Sequence, residues 1–327
     1  MLRNFSKELK EWKNKNETTP LMVIGARQIG KTYIINEFCK ENYNDYIYIN
    51  LMNDKGITEI FDEPINTEEK VKKMELYLGR LIKEETIIFF DEIQESENLI
   101  SALKYFCESE FPYKIICAGS LLGVKLKRFK NSFPVGKVII KYMYPMTFEE
   151  FLKAINYEQA IEVIKDCFDK NKKMSNPIHE KLLNYYRLFL ATGGMPIAVD
   201  NIIKNNLEIL KFDNNLLKSI IEAYLADMEK YTLNYYETIK IEKIYKNIPS
   251  QLAKENKKFQ FSKIEPYARR RDFETSLDWL IASKLVIPCY FVEKFETPLK
   301  GFMYEQKFKL YFCEYSFSKS DKSVSLA

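Results

Sequence analysis

One octapeptide restricts this chain more than any other feature. Gly25-Ala26-Arg27-Gln28-Ile29-Gly30-Lys31-Thr32 fills every fixed position of the pattern G-x-x-x-x-G-K-[ST]. It follows Leu21-Met22-Val23-Ile24, an apolar run suited to a buried parallel strand, and precedes a helical stretch from Tyr33 to Cys39. Strand, glycine loop and helix, in that order, is the context that the pattern needs. Glycine leaves room for backbone N–H groups to converge on phosphate oxygens, and a helix N-terminus adds its positive dipole end. In such a loop Lys31 supplies a point charge to the β- and γ-phosphates, and the Thr32 hydroxyl ligates Mg²⁺. ATP and Mg²⁺ are therefore the expected ligands.

A second apolar run, Ile87-Ile88-Phe89-Phe90, ends in Asp91-Glu92. Carboxylates at the C-terminal end of a central strand lie at the crevice where open α/β sheets bind ligands. Asp91 is expected to hold Mg²⁺ and Glu92 to polarise an attacking water. That pairing suits hydrolysis better than transfer to a second substrate, so a kinase is disfavoured. A third strand candidate, Lys114-Ile115-Ile116-Cys117-Ala118, runs into Gly119-Ser120. Ser120 is the candidate contact to the γ-phosphate or the water; a serine capping a helix that starts near Leu121 is the equal alternative. With Tyr46-Ile47-Tyr48-Ile49-Asn50, these segments alternate with helical stretches, which predicts an α/β parallel sheet with crossover helices.

The motifs fall in a recognisable order. After 25–32 come Asp91-Glu92-Ile93-Gln94, Ala118-Gly119-Ser120-Leu121-Leu122-Gly123 and Tyr144-Pro145-Met146-Thr147-Phe148-Glu149-Glu150-Phe151-Leu152. Gly193-Gly194-Met195-Pro196 and Tyr224-Leu225-Ala226-Asp227-Met228-Glu229-Lys230 follow. Together they resemble the prokaryotic AAA-family ATPases that carry a C-terminal domain of unknown function, a group related to the archaeal ATPases. The resemblance implies an AAA+-like P-loop core, a helical region, and then a winged-helix domain. The expected divisions are 1–145 for the core, 146–235 for the helical lid region, 236–300 for the winged helix and 301–327 for a shortened C-terminal segment. Two departures stand out. The family often has Gly-Arg where this chain has Gly136-Lys137: Lys137 keeps the charge of a finger there but not its bidentate geometry, Arg128 and Arg187 are the alternative fingers, and Arg187 is also the candidate second sensor of the γ-phosphate. The chain also passes after Phe312 into the polar, serine-rich stretch 316–327, read as a disordered, truncated tail, so no nuclease activity of the family's last segment carries over.

Within the second half, Phe148, Phe151 and Leu152, and then Leu182, Leu183, Tyr186, Phe189 and Leu190, recur at helical spacing and predict a packed helical core. Thr192-Gly193-Gly194 reads as a helix end and Pro196 as the first turn of the next helix. Residues 238 to 293 read as three helices, with Ser262 capping a short one to Ala268 and another over Thr275 to Ser283, and then a strand over Leu285 to Phe291. In a winged helix, Arg269-Arg270-Arg271 would meet double-stranded DNA, although Glu265, Asp272 and Glu274 dilute the charge. A protein partner is the other use of such a domain.

Composition excludes several classes. Six cysteines are scattered without a CxxC pair, which argues against a zinc site or a disulfide frame. His179 is the only histidine, and its polar surroundings make it a surface residue. No apolar run is long enough to span a bilayer, and the charged N-terminus has no signal-peptide core, so a cytoplasmic protein without membrane contact is expected. The net charge of +4 is too small to indicate a nucleic-acid partner by itself.

Overall fold

The computed structural model describes residues 3–120, 133–232 and 235–313. The chain divides into two compact units between Tyr144 and Pro145.

In the first unit, α1 (Phe5–Asn16) is followed by β1 (Leu21–Ile24), α2 (Lys31–Asn42), β2 (Asp45–Asn50), α3 (Lys55–Asp62) and α4 (Thr67–Leu78). Then come β3 (Thr86–Asp91), α5 (Glu97–Glu108), β4 (Lys114–Gly119) and β5 (Ile139–Tyr142). The strands form one five-stranded sheet in the order β2-β3-β4-β1-β5, and every pairing is parallel. This is a P-loop NTPase fold with flanking helices. Every residue of β1 and β3 is buried, as expected for strands covered on both faces. Met22, Ile24, Ile88, Phe90, Ile115 and Cys117 share one core with apolar residues of α3, α4 and α5. Their strand neighbours Leu21, Val23, Phe89 and Ile116 point to the other face and are equally buried. Because the sheet is parallel, the C-terminal ends of β1, β4 and β3 lie side by side at one edge.

The second unit begins with α6 (Phe148–Ala154), opened by a capping box in which Thr147 and Glu150 each accept from the other's backbone N–H. α7 (Gln159–Asp169), α8 (Asn176–Thr192), α9 (Pro196–Lys204) and α10 (Asn214–Tyr231) follow. The apolar stripes do face a core, where the rings of Phe148, Phe151, Tyr186 and Phe189 pack together. α8 ends on Gly193 in the left-handed region, and Pro196 opens α9. Gly194 is also fixed by space: a Cβ there would lie 2.5 Å from the Met146 carbonyl oxygen. His179 is exposed in the first turn of α8.

The remainder is α11 (Tyr235–Leu252), a single turn of 3₁₀ helix (Phe261–Lys263), α12 (Arg270–Ala282) and an antiparallel hairpin of β6 (Val286–Val292) and β7 (Met303–Phe312). Two expectations are corrected here. Ser262 to Ala268 is not a helix beyond that turn, because Pro266 restricts the residue before it and Tyr267 takes a φ of 63°. The next helix starts at Arg270 rather than Thr275, since Asp272 accepts the Arg269 N–H at 2.8 Å and secures the first turn. The Phe259 N–H donates to the Phe308 carbonyl at 2.9 Å, which adds a short third segment beside β7. Strand pairing thus joins residues 303–312, set apart above in 301–327, to β6. Residues 316–327 lie outside the described residues.

Candidate nucleotide site

The loop between β1 and α2 is held open by its backbone. Gly30 has φ 91° and Gln28 φ 62°, both in the left-handed region. At Gln28 that conformation is strained, of the kind that persists where surrounding structure imposes it. Gly25 is required by space, because a Cβ would lie 2.3 Å from the Met143 carbonyl oxygen and 2.5 Å from Ile29 Cδ1. Ala26 and Ile29 are buried and anchor the loop, while Arg27 is half-buried and Gln28 exposed. No side chain caps the start of α2, so its first N–H groups remain for an anion. Lys31 is buried and folds back, its Nζ donating to the Gly25 carbonyl at 2.9 Å and the Ala26 carbonyl at 2.7 Å.

The acidic strand end meets this loop. The Thr32 hydroxyl donates to Asp91 Oδ2 at 2.8 Å. Tyr48, on the neighbouring strand β2, donates to the same oxygen at 3.1 Å, and the Glu92 N–H donates to Oδ1 at 3.0 Å. Burial raises the Asp91 pKa above the usual carboxylate value; the Thr32 bond works against the shift and the Glu92 charge adds to it. Glu92 has φ 53°, and its carboxylate accepts from the Gln94 side-chain amide. Ser120, at the end of β4 between β1 and β3, is buried, and its hydroxyl has no partner among the described residues. A buried polar group left in that state calls for a specific explanation.

The residues fit Mg²⁺-ATP on these observations: a glycine loop that a Cβ would fill, a hydroxyl and a carboxylate already side by side, and an orphaned hydroxyl just after β4, the strand between β1 and β3. Oxygen donors of this kind suit Mg²⁺, which usually takes one or two protein ligands together with phosphates and water. Lys137 pairs with Glu108 at 3.0 Å, and that carboxylate raises its pKa. Arg187 donates to Asn184 on its own helix at 2.8 Å, and Arg128 lies outside the described residues.

Sequence reasoning missed two contributors. Tyr48 was legible only as part of a strand. Arg3 is buried and donates to the Ile29 carbonyl at 2.7 Å and the Tyr144 carbonyl at 2.6 Å, bracing the phosphate loop from the start of the chain. Nothing local in either segment signals these contacts.

Comparison with known proteins agrees with the fold. The family profile of the AAA domain matches residues 17–152, and that of a domain of unknown function (DUF8612) matches residues 183–319. The chain carries an AAA domain followed by a domain of unknown function. Among solved structures, the Walker-type ATPase of Pyrococcus abyssi is similar at a TM-score of 0.53 and 15% identity, over 96% of this chain and 93% of that one. The ADP form of the Aeropyrum pernix ORC2 protein has a TM-score of 0.45 and 12% identity, over 88% and 87%. At 15% identity the likeness to the Pyrococcus protein speaks to the fold alone. No curated protein matches the sequence. Among the described residues, no helix of this AAA protein is long and apolar enough to cross a membrane.

Proposed function

We propose that this AAA protein binds Mg²⁺-ATP and hydrolyses it. The observation that carries the reading is the approach of the Thr32 hydroxyl to Asp91, which joins the phosphate loop to the acidic strand at the point where a metal would sit. On binding, Lys31 would leave the loop carbonyls for the β- and γ-phosphates, and the N–H groups of 25–32 would cradle them. Thr32 and Asp91 would hold Mg²⁺, whose charge offsets that of the phosphates. Glu92, with one carboxylate oxygen held by Gln94, would orient a water and accept its proton. The buried Ser120 hydroxyl would find its missing partner in the γ-phosphate or that water.

The order α11, 3₁₀ turn, α12, hairpin, with the added Phe259–Phe308 pair, supports a winged-helix reading of the last part of the second unit. Such a domain would carry the output, toward DNA or a partner protein. Duplex contact through Arg269, Arg270 and Arg271 has weaker support, because Arg270 donates to the Glu305 carbonyl and lies near Glu274, and Arg271 lies near Asp272. A slow, nucleotide-gated binding module is the second reading. Lys137, engaged with Glu108, favours it, since no guanidinium stands at that position.

The test is steady-state ATP hydrolysis by wild type, Lys31→Ala and Glu92→Gln, with and without double-stranded DNA. Turnover that each substitution lowers by roughly 10²-fold or more supports hydrolysis by this site. Mg²⁺-ATP binding without turnover above Glu92→Gln would leave the gated module as the function. Stimulation by duplex DNA would support the DNA output.

A further inference from the structure

The two faces of the β6–β7 hairpin differ sharply. Val286, Phe308 and Leu310 point inward and are buried against α11 and α12. On the outer face Ile287, Phe291, Tyr304 and Tyr311 are between 37% and 51% exposed, and Phe295 in the connecting loop is 94% exposed. So many exposed rings on one small element is unusual for a surface with no partner. The face is also basic. A groove of about 570 Å³ is lined by Phe291, Phe295, Tyr311 and the lysines Lys258, Lys307 and Lys309, and among the described residues no carboxylate lines it. Three acids lie near it: Glu293 accepts from the Tyr304 hydroxyl on the same face at 2.7 Å, Glu305 lies 4.0 Å from Arg270, and the exposed Glu296 follows Phe295 in the loop.

The strand register explains how charge and rings come together. Tyr290 pairs with Phe308, but Phe291 pairs with Tyr304, so residues 305–307 form a bulge. Bulges re-aim side chains. This one sets the Lys307 ammonium 5.4 Å from the Phe291 ring centre and 5.0 Å from that of Tyr304.

We propose that this outer face binds single-stranded nucleic acid, with unpaired bases stacking on Phe291, Phe295 and Tyr311 and phosphates meeting Lys258, Lys307 and Lys309. Aromatic rings interleaved with cations suit a flexible chain that carries flat π-faces and regular negative charge. A duplex hides its base faces in its own stack, and an acidic peptide supplies charge with no regular series of rings. The surface adjoins the arginine cluster at the start of α12, since Lys258 and Lys307 also line a neighbouring groove with Arg270, but none of those arginines lines the aromatic groove, and the assignment does not rest on ATP hydrolysis.

The experiment is fluorescence anisotropy of a labelled oligo(dT) and of a mixed-sequence duplex of equal length. It uses the full chain without nucleotide across a salt series, with unlabelled poly-glutamate as a competitor. Wild type should bind the single strand at least several-fold more tightly than the duplex. Lys307→Ala with Lys309→Ala should weaken single-strand binding by roughly 10-fold or more and flatten the salt dependence by about 1.4 log units per log unit of salt. Phe291→Ala should weaken it by roughly 5-fold or more and leave that slope unchanged. Circular dichroism checks that the variants fold, and Phe295→Ala, in the exposed loop, gives a second stacking probe with little risk to folding. Preference for the duplex, indifference to these substitutions, displacement by poly-glutamate as effective as by unlabelled oligo(dT), or no binding at low salt would each overturn the proposal.

Discussion

Thr32 and Asp91 are 59 residues apart in sequence, yet the hydroxyl of one donates to the carboxylate of the other at 2.8 Å. On the proposed reading the two groups would form part of the shell of a cation. If they act as a unit, their substitutions will not add. Thr32→Ala and Asp91→Asn should each weaken Mg²⁺-dependent nucleotide binding by roughly 10-fold or more, and the double variant should be little worse than the poorer single one. Titration of a fluorescent ATP analogue at several Mg²⁺ concentrations reads this directly. Strict additivity would mean that the pair does not share a ligand.

Tyr48 places a second hydroxyl on the same Asp91 oxygen at 3.1 Å. It touches no expected ligand, so it is a positioning residue. Partners that orient a metal-binding carboxylate often contribute 10- to 100-fold to metal affinity. Tyr48→Phe keeps the ring against Phe89 and removes only the donor. The expected result is roughly 10-fold more Mg²⁺ for half-maximal activation, with the thermal midpoint unchanged. An unaltered Mg²⁺ dependence would reduce Tyr48 to a packing residue.

The parts of the site that the sequence reveals are those whose chemistry is local. Gly25, Gly30, Lys31 and Thr32 must be neighbours to form one loop, and Asp91-Glu92 must close one apolar strand, so spacing alone exposes them. Tyr48 and Arg3 escape because their roles come from tertiary neighbours: β2 beside β3, and the chain start against a loop 26 residues later. The early start of α12 escapes for a different reason. Three arginines are no familiar helix opening, and the cap is supplied by Asp272 reaching back to Arg269. The hairpin's second strand was obscured by its bulge, which breaks the alternation that marks a strand.

Gly25 offers a steric test. A methyl group there would meet the Met143 carbonyl, which is backbone and cannot rotate away. Gly25→Ala should destabilise the fold by about 1–3 kcal/mol, the usual range for overpacking. It should also abolish nucleotide binding, because relief of the clash must move the loop. At Gly301 an added Cβ meets nothing within 4 Å and φ lies outside the positive range, so Gly301→Ala should be neutral or slightly stabilising. Urea unfolding of both variants provides the comparison, and equal midpoints would contradict the argument.

Asp45 links the fold to pH. At the start of β2 its carboxylate accepts from the Thr86 hydroxyl at the start of β3 and from the Arg80 guanidinium. The Thr86 bond is the largest influence lowering its pKa; burial opposes it, and Arg80 reinforces it. A carboxyl whose folded pKa is depressed adds stability above its unfolded pKa, and that stability is lost as pH falls through the folded value. Wild type should therefore keep this contribution at neutral pH and lose it in the acid range below the ordinary value of 3.8. In Thr86→Val the Asp45 carboxyl, followed by NMR, should titrate closer to that value. The stability gap between the two proteins should also narrow as the solution is acidified. If the Asp45 titration is the same in both, the Thr86 bond is not what ties β2 to β3.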